Sequence, residues 1–168
     1  MIANAFRALE EGDILTTALL IEKETNLERR DINHRTILMY LCMCGLEGLV
    51  HRCLELGANV QARDAFYWTP LHMAVDSNHL SCVTTLLEFG APVDAKLDNG
   101  STPLLIAAFY GRADILAVLI NAGADVHAET DNGESALHLA YVSGDAASVQ
   151  LLNGSVSPES YINKRGGI

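Results

Sequence analysis

The sequence predicts an all-α solenoid of about five stacked helix–turn–helix units with short β-hairpin-like fingers. A period of 33 residues is the main observation, because three unrelated kinds of position repeat at that step. Hydroxyl residues recur at Thr36, Thr69, Thr102 and Ser135, leucines at Leu38, Leu71, Leu104 and Leu137, and Gly-Ala pairs at Gly57-Ala58, Gly90-Ala91 and Gly123-Ala124. Chance does not keep three such series in phase, and a period of this length is typical of repeat architectures. We therefore expect residues 1–168 to form a single repeat domain, in which each unit contacts its neighbours.

Residues 69–100 carry the most complete unit, with the sequence TPLHMAVDSNHLSCVTTLLEFGAPVDAKLDNG. The TPLH opening, the LLEFGA close and the DNG turn lie where an ankyrin repeat has them, and the stretch resembles that family. The resemblance implies that each unit has a helix of about two turns, a short turn, a longer helix and an extended finger. It also implies non-catalytic protein–protein recognition, because such repeats form a scaffold and carry no chemistry of their own.

Residues 1–35 resemble a degenerate first repeat that caps the array at its N-terminus. The period predicts one helix from about Ala3 to Glu11 and a second from about Ile14 to Glu24. An end repeat needs a polar outer face, because nothing stacks beyond it. The residues expected on that face are Arg7, Glu10, Glu11, Glu22, Lys23 and Glu24.

Residues 36–68 form a second repeat that departs from the family pattern. Ile37 replaces the proline of the TPLH motif, although Thr36 is still expected to cap the first helix through its hydroxyl. Tyr67 occupies the position at which the next repeat has Gly100, and glycine adopts a positive φ at little cost. Tyr67 therefore predicts a different turn or local strain.

Residues 69–101 and 102–134 are the best-matching repeats, with apolar residues at helical spacing. The expected core residues are Leu71, Ala74, Val75, Val83, Leu86 and Leu87, and their counterparts Leu104, Ala107, Ala108, Leu116, Leu119 and Ile120. Residues 135–168 form a divergent last repeat, with a second helix from about Ala146 to Leu152, a longer loop over 154–160 and a finger that resumes at 161–163. The closing KRGGI resembles the opening of another repeat, so the chain is expected to be the N-terminal piece of a longer protein; the alternative is a natural end.

The charge distribution excludes some partner classes and favours one. The net charge is −10, whereas nucleic acids and anionic membranes attract positively charged surfaces. We therefore expect no nucleic-acid partner and no membrane insertion, and no apolar run approaches the roughly 20 residues of a membrane-spanning helix. Residues 69–134 hold two basic against nine acidic side chains, which favours a protein or peptide partner with a basic patch. The protein itself is expected to be monomeric.

The four cysteines, Cys42, Cys44, Cys53 and Cys82, indicate a reducing compartment. Three of them lie in one repeat, and the set does not form a disulfide framework. The N-terminus also lacks the basic start and apolar core of a signal peptide. A cytoplasmic location is therefore expected, with the nucleus as an alternative.

No residue pattern indicates catalysis, a cofactor or a metal site. The resemblance implies a structural role for His72 and His138 of the TPLH motif, bonding their own turn and the neighbouring repeat. No two histidines have the i, i+4 spacing of a helical zinc site, and the pair Cys42 and Cys44 lacks a second cysteine pair at zinc-site spacing. We predict that the chain is not an enzyme and binds neither cofactor nor metal.

The resemblance implies a binding surface on the concave side, formed by the finger tips and by exposed positions on the first helix of each pair. The 33-residue register transfers these positions to this sequence. The partner-binding residues predicted in this way are Arg35, Arg63, Phe66, Trp68, Asp76, Lys96, Asp98, Ser101, Phe109, Tyr110, Glu134 and Val142.

Four of these residues, Phe66, Trp68, Phe109 and Tyr110, are aromatic and are predicted to form one patch. Large aromatic side chains on a surface are typical of interaction hot spots. The alternative is that the rings pack on each other and on the finger backbones as ordinary structure. A further alternative concerns the role of the chain, which would be an intramolecular regulatory N-terminal domain of a larger enzyme, channel or secreted effector.

Overall fold

A computed structural model describes residues 2–23 and 26–155, with side chains described for residues 5–23 and 26–154. These ranges contain ten short α-helices and, at the fingers, one isolated antiparallel bridge between Glu129 and Ser135. The helices are α1 (Ile2–Glu10), α2 (Ile14–Lys23), α3 (Ile37–Met43), α4 (Glu47–Glu55), α5 (Pro70–Asp76), α6 (Leu80–Glu88), α7 (Pro103–Phe109), α8 (Ala113–Asn121), α9 (Ala136–Ser143) and α10 (Ala146–Ser155). The predicted all-α fold class is confirmed.

The helices are arranged in pairs, and the pairs belong to two compact units, Met1–Pro92 and Val93–Ile168. Each odd-numbered helix packs on the even-numbered helix that follows it. In the first unit, α3 packs on α1 and α5, and α4 packs on α6. In the second unit, α7 packs on α9 and α8 packs on α10. Within each unit, equivalent helices of successive repeats are therefore stacked. The single domain over 1–168 and its repeat boundaries stay predictions.

The recurring apolar positions form the core of each unit. Ten of the twelve predicted core residues are buried, and Leu87 and Ile120 are half-buried. Small residues at Ala107 and Ala140 are fully buried where α7 and α9 meet, so the two helices approach closely. Burial of one leucine in such a core stabilises the fold by about 1.5–3 kcal/mol.

Side-chain hydroxyls cap most of the first helices in the way the motif predicts. Thr69, Thr102 and Ser135 each accept a hydrogen bond from the backbone N–H three residues ahead. The prediction that Thr36 caps α3 is wrong, because its hydroxyl makes no capping hydrogen bond and is buried without a partner. An unsatisfied buried hydroxyl costs about 1–3 kcal/mol.

Two further expectations are corrected at the ends of the chain. The predicted polar residues of α1 and α2 are exposed, apart from Glu24, which lies outside the described residues. However, Leu15 and Leu19 on α2 are also 80% and 59% exposed, so that face is only partly polar. At the other end, Gly154 continues α10 instead of starting a loop, since the fully buried Leu152 holds the last turn in the core. The predicted finger over 161–163 lies outside the described residues.

Candidate protein-binding surfaces

Four fingers follow the helix pairs, and each is a five-residue turn closed by two backbone hydrogen bonds. The turns span residues 31–35 and 64–68 in the first unit and residues 97–101 and 130–134 in the second. In every turn the first residue donates its N–H to the carbonyl of the fifth residue over 2.9–3.1 Å. Its carbonyl accepts the N–H of the fourth residue over 2.8–3.2 Å. The fingers are therefore equivalent in backbone and differ in their side chains.

The fourth residue of every finger has a left-handed backbone. Gly100 and Gly133 occupy this position in the second unit, both with φ of 78°. His34 and Tyr67 occupy it in the first unit, with φ of 61° and 64°. Tyr67 therefore keeps the same turn and carries local strain, which was one of the two outcomes its sequence position predicted. A left-handed backbone costs a residue with a side chain about 1–2 kcal/mol.

In the first unit, each finger is held in shape by the carboxylate of its first residue. Asp31 accepts the backbone N–H groups of Asn33 and Arg35, both at 2.8 Å, and the hydroxyl of Tyr40 at 2.7 Å. Burial works to raise the pKa of Asp31, but these hydrogen bonds outweigh it and hold the pKa below its ordinary value. One carboxylate oxygen of Asp31 is thus engaged inside the finger, and the other binds Tyr40 of α3.

Asp64 has the same role in the next finger. Its fully buried carboxylate accepts the backbone N–H groups of Phe66 and Trp68, at 2.8 and 2.9 Å. It also accepts the Nε–H of Arg35 at 3.2 Å. Asp64 is buried and paired with Arg35, so the exposed charges beside the fingers of the first unit are those of Arg29, Arg30 and Arg63.

Arginines and apolar side chains make up the outer surface of these two fingers. Arg30 joins the fingers by donating to the carbonyls of His34 and Arg63, and Arg63 lies over the ring of Tyr67 with 5.9 Å to its centroid. Exposed apolar side chains lie at the tips; they are Ile32 (94% exposed), Phe66 (61%) and Tyr67 (48%).

The fingers of the second unit carry the opposite charge. Residues 95–101 and 128–134 contain four acidic side chains and one lysine. These charged residues are Lys96, Asp98, Glu129, Asp131 and Glu134, and all but the half-buried Glu134 are exposed. Glu134 accepts the hydroxyl of Thr130 at 3.2 Å, so it also supports its own turn. The two fingers are joined by one backbone hydrogen bond, from Asp131 to the carbonyl of Asn99 at 3.0 Å.

Large apolar side chains are exposed at the ends of the first helices of the second unit. Phe109 and Tyr110 end α7 and are 50% and 52% exposed. Their rings meet edge to face with centroids 5.0 Å apart, and the guanidinium of Arg112 lies 4.6 Å from the centroid of Tyr110. On α9, which packs on α7, Tyr141 and Val142 are 61% and 64% exposed. We call Phe109, Tyr110, Tyr141 and Val142 the aromatic cluster of the second unit.

The remaining predicted residues are less exposed. Trp68 is half-buried and meets the ring of the buried His72 edge to face, with centroids 5.9 Å apart. Asp76, at the end of α5, and Ser101 are also half-buried. Ser101 donates its backbone N–H to Asn99 at 3.1 Å, which closes its own turn. The structure describes Phe66 and Trp68 in the first unit and Phe109 and Tyr110 in the second, so one common patch stays a prediction.

The structural features above are those of one known repeat family, and a family-level comparison agrees. The family model for ankyrin repeats in three copies matches residues 5–97 and 89–163. The chain belongs to the ankyrin-repeat family. Its fold class is accordingly the all-α ankyrin-repeat solenoid, and ankyrin repeats are in general protein–protein interaction modules that are typically non-catalytic. No curated protein sequence matches the chain.

The histidines of this ankyrin-repeat chain differ in their roles. His72 is fully buried, and its Nδ1 lies 2.8 Å from the Thr69 hydroxyl, so it supports its own turn as the motif implies. His138 occupies the same motif position but is exposed, so its ring lacks this buried environment. The Nε2 of His79 lies 3.1 Å from the carbonyl of Met43 and thereby links two successive repeats of the first unit.

The cysteine thiols of the ankyrin core are poor nucleophiles. Burial raises the pKa of Cys53 to about 12 and that of Cys82 to about 11. Burial also raises the pKa of Cys42 well above its ordinary value. Thiols in such an environment stay protonated near neutral pH and are chemically inert. Within residues 2–23 and 26–155, no cluster of three or more His, Cys, Asp or Glu side chains is placed to bind a metal ion. In the same ranges, every helix is too short or too polar to cross a bilayer.

Several exposed residues of these surfaces were missed by the sequence reasoning. The register contained a signal for two of them, because Arg30 lies 33 residues before Arg63 and Ile32 lies 66 residues before Asp98. No such signal existed for Tyr141, whose counterpart Ala108 is fully buried. Register alone therefore assigns Tyr141 to the core, whereas the structure exposes it.

Proposed function

We propose that this ankyrin-repeat chain is a protein-binding module whose second unit recognises a partner segment with basic and apolar residues. The observation that carries the proposal is the aromatic cluster, in which four large side chains on the packed helices α7 and α9 and at the end of α7 are each at least half exposed. Exposed aromatic groups of this kind are favoured at interface hot spots, where their burial supplies much of the binding energy.

The charge of the second unit supports a basic partner. Four acidic side chains lie on its two fingers against one lysine. In the ankyrin family, finger tips and the exposed ends of the first helices belong to one binding face, so the acidic fingers and the aromatic cluster would contact the same segment. Complementary charge speeds association and fixes the orientation of the partner.

A peptide-display selection tests this function. The bait is the whole chain, and the library consists of random peptides of about 12 residues. We expect enrichment of peptides that combine Lys or Arg with Trp, Phe, Tyr or Leu. The double variant Phe109→Ser/Tyr110→Ser should bind the selected peptides about tenfold more weakly or worse, because two hot-spot rings are lost.

The double variant Leu15→Ser/Leu19→Ser is the matched control, since it also removes two exposed apolar side chains but lies on α2 of the first unit. It should bind the selected peptides as the unchanged chain does. Equal affinity of the Phe109→Ser/Tyr110→Ser variant, or selection of peptides without basic residues, would refute the proposal.

A further inference from the structure

We infer that the first unit carries a second binding surface of opposite charge, which recognises an acidic peptide segment with an apolar or aromatic side chain. This surface consists of Arg29, Arg30, Ile32, Arg63, Phe66 and Tyr67, and we call it the basic finger surface. The inference does not depend on the surface proposed for the second unit, because the two lie in different units and share no residue.

The charge of the basic finger surface is the first argument. Segments 29–35 and 62–68 contain four arginines and two aspartates, and both aspartates are engaged by hydrogen bonds within the fingers. The composition of the whole chain gives no general reason for this positive charge, since the chain's net charge is −10. A local excess of arginine on an acidic protein favours acidic ligands, and guanidinium groups bind carboxylates in a bidentate way.

The fixed geometry of the arginines is the second argument. Arg30 donates from one nitrogen to the carbonyls of His34 and Arg63, and so lies across both fingers. A backbone hydrogen bond from Ala65 to the carbonyl of Asn33, 3.0 Å long, joins the same two fingers. A guanidinium has five N–H donors, so Arg30 keeps others for a ligand while these contacts hold it in place. Preorganised donors lose little conformational entropy when a partner binds.

Tyr67 supplies the third argument. It adopts a left-handed backbone at a position where the second unit has glycines; the residue is 48% exposed, and Arg63 lies over its ring. Strained residues of this kind persist where the surrounding structure holds them, and they cluster at functional sites. Together with Phe66 and Ile32, the ring gives the basic finger surface an exposed apolar component beside its arginines.

A neighbouring pocket gives the apolar part of the ligand a place to bind. Its volume is about 440 Å³, within the range of small-ligand sites, which is about 300–1,000 Å³. Phe6 and Tyr40 line it with rings that meet edge to face, their centroids 5.2 Å apart. Arg29, Arg30 and Ile32 line it as well, so the pocket adjoins the basic finger surface, and its remaining lining residues are Glu10, Asp31 and Asn33. We place an aromatic or leucine side chain of the acidic segment in this pocket.

Fluorescence anisotropy with labelled peptides and the whole chain tests the inference. The peptides have about 12 residues, are rich in Glu and Asp, and carry one central Trp, Phe or Leu. Peptides with Gln and Asn in place of the acids, and peptides with Ala in place of the central residue, are the ligand controls. We expect binding by the acidic peptides and a loss of about tenfold or more with either control. Dissociation constants above about 1 mM for every acidic peptide would overturn the inference.

The protein variants locate the site. Arg63→Glu should weaken binding by about tenfold or more, whereas Lys96→Glu, which makes the same change 33 residues further on in the second unit, should alter it by less than about twofold. Equal losses in both variants would mean a general charge effect and would overturn the inference.

Tyr67→Gly should weaken binding of the acidic peptides while the melting temperature changes by less than about 3 °C, because relief of strain offsets the lost ring contacts. A large fall in melting temperature would show that the ring is structural.

Two further outcomes would assign the basic finger surface to a different occupant and so contradict the inference. The first is competition by a single-stranded RNA that exceeds competition by the acidic peptides. The second is a dimer in sedimentation velocity that Arg63→Glu dissociates, since the occupant would then be a second copy of the chain. The Phe109→Ser/Tyr110→Ser variant should retain the acidic peptide, so that failure of one proposed surface is distinguished from failure of the other.

Discussion

Leu104→Ala tests the packing that keeps the second unit folded. Leu104 is fully buried at the start of α7, beside the buried residues Leu105, Ala107 and Ala108. The substitution removes three carbon groups, and at about 0.8 kcal/mol for each buried group the transfer term alone is about 2.4 kcal/mol. Ala107 and Ala108 are too small to fill the cavity, so a cavity term adds to this figure. We expect a loss of about 3–4 kcal/mol.

Urea unfolding followed by circular dichroism measures this loss. A loss of that size lowers the melting temperature by about 6–16 °C, because 1 kcal/mol corresponds to about 2–4 °C in a chain of this length. Leu15→Ala is the control, since Leu15 is 80% exposed and its removal should change stability by less than about 0.5 kcal/mol. A change below about 1 kcal/mol for Leu104→Ala would refute the tight packing of α7 in the second unit.

Three other substitutions test the finger turns and the capping of α3. Thr36→Val should stabilise the chain by about 1 kcal/mol in urea unfolding, because it removes a buried hydroxyl that has no hydrogen-bond partner. A loss of stability would show that the hydroxyl is satisfied. Gly100→Ala should destabilise by more than about 1 kcal/mol, since the new Cβ would lie 2.7 Å from Oδ1 of Asp131 on a backbone with φ of 78°. Gly133→Ala has the same φ without that contact and should cost less; equal losses would exclude the contact as the cause. Asp31→Asn should destabilise at neutral pH, and because the folded-state pKa of Asp31 lies below its unfolded value, that loss should shrink as the pH falls below about 4. A difference in urea midpoint that does not decrease between pH 7 and pH 2.5 would contradict this assignment.

The 33-residue period was sufficient to place the helices. The predicted helices from Ala3 to Glu11 and from Ile14 to Glu24 lie within one residue of α1 and α2 at each end. The reason is physical, because the apolar positions of a repeat must coincide with those of its neighbours for the helices to stack. The same rule explains why ten of the twelve predicted core residues are buried.

Hydrogen-bond partners were not predictable from the register. Thr36 and Thr69 occupy the same position, yet only Thr69 caps its helix. The capping box of Thr69 also uses the side chain of His72, but Thr102 caps α7 with Leu105 at that position, so the apolar Met39 does not explain why Thr36 makes no cap. A position in a motif therefore predicts the backbone better than it predicts the contacts of the side chain.

The charge of the fingers was predicted only in part. The acidic character of the fingers at residues 97–101 and 130–134 followed from the composition of residues 69–134. The basic finger surface did not, because a count over residues 1–68 gives seven basic against ten acidic side chains, whereas segments 29–35 and 62–68 concentrate four arginines beside two aspartates that are engaged by hydrogen bonds. Whether a carboxylate faces solvent depends on the local turn, which a count cannot include.

The most direct test of the central claim maps the contact of a selected basic peptide on the isotope-labelled chain by amide chemical shifts. We predict that the largest changes fall on residues 97–101 and 130–134 and at the ends of α7 and α9. Changes concentrated on α8 and α10, or spread evenly over the chain, would contradict the claim that the second unit binds its partner through the acidic fingers and the aromatic cluster.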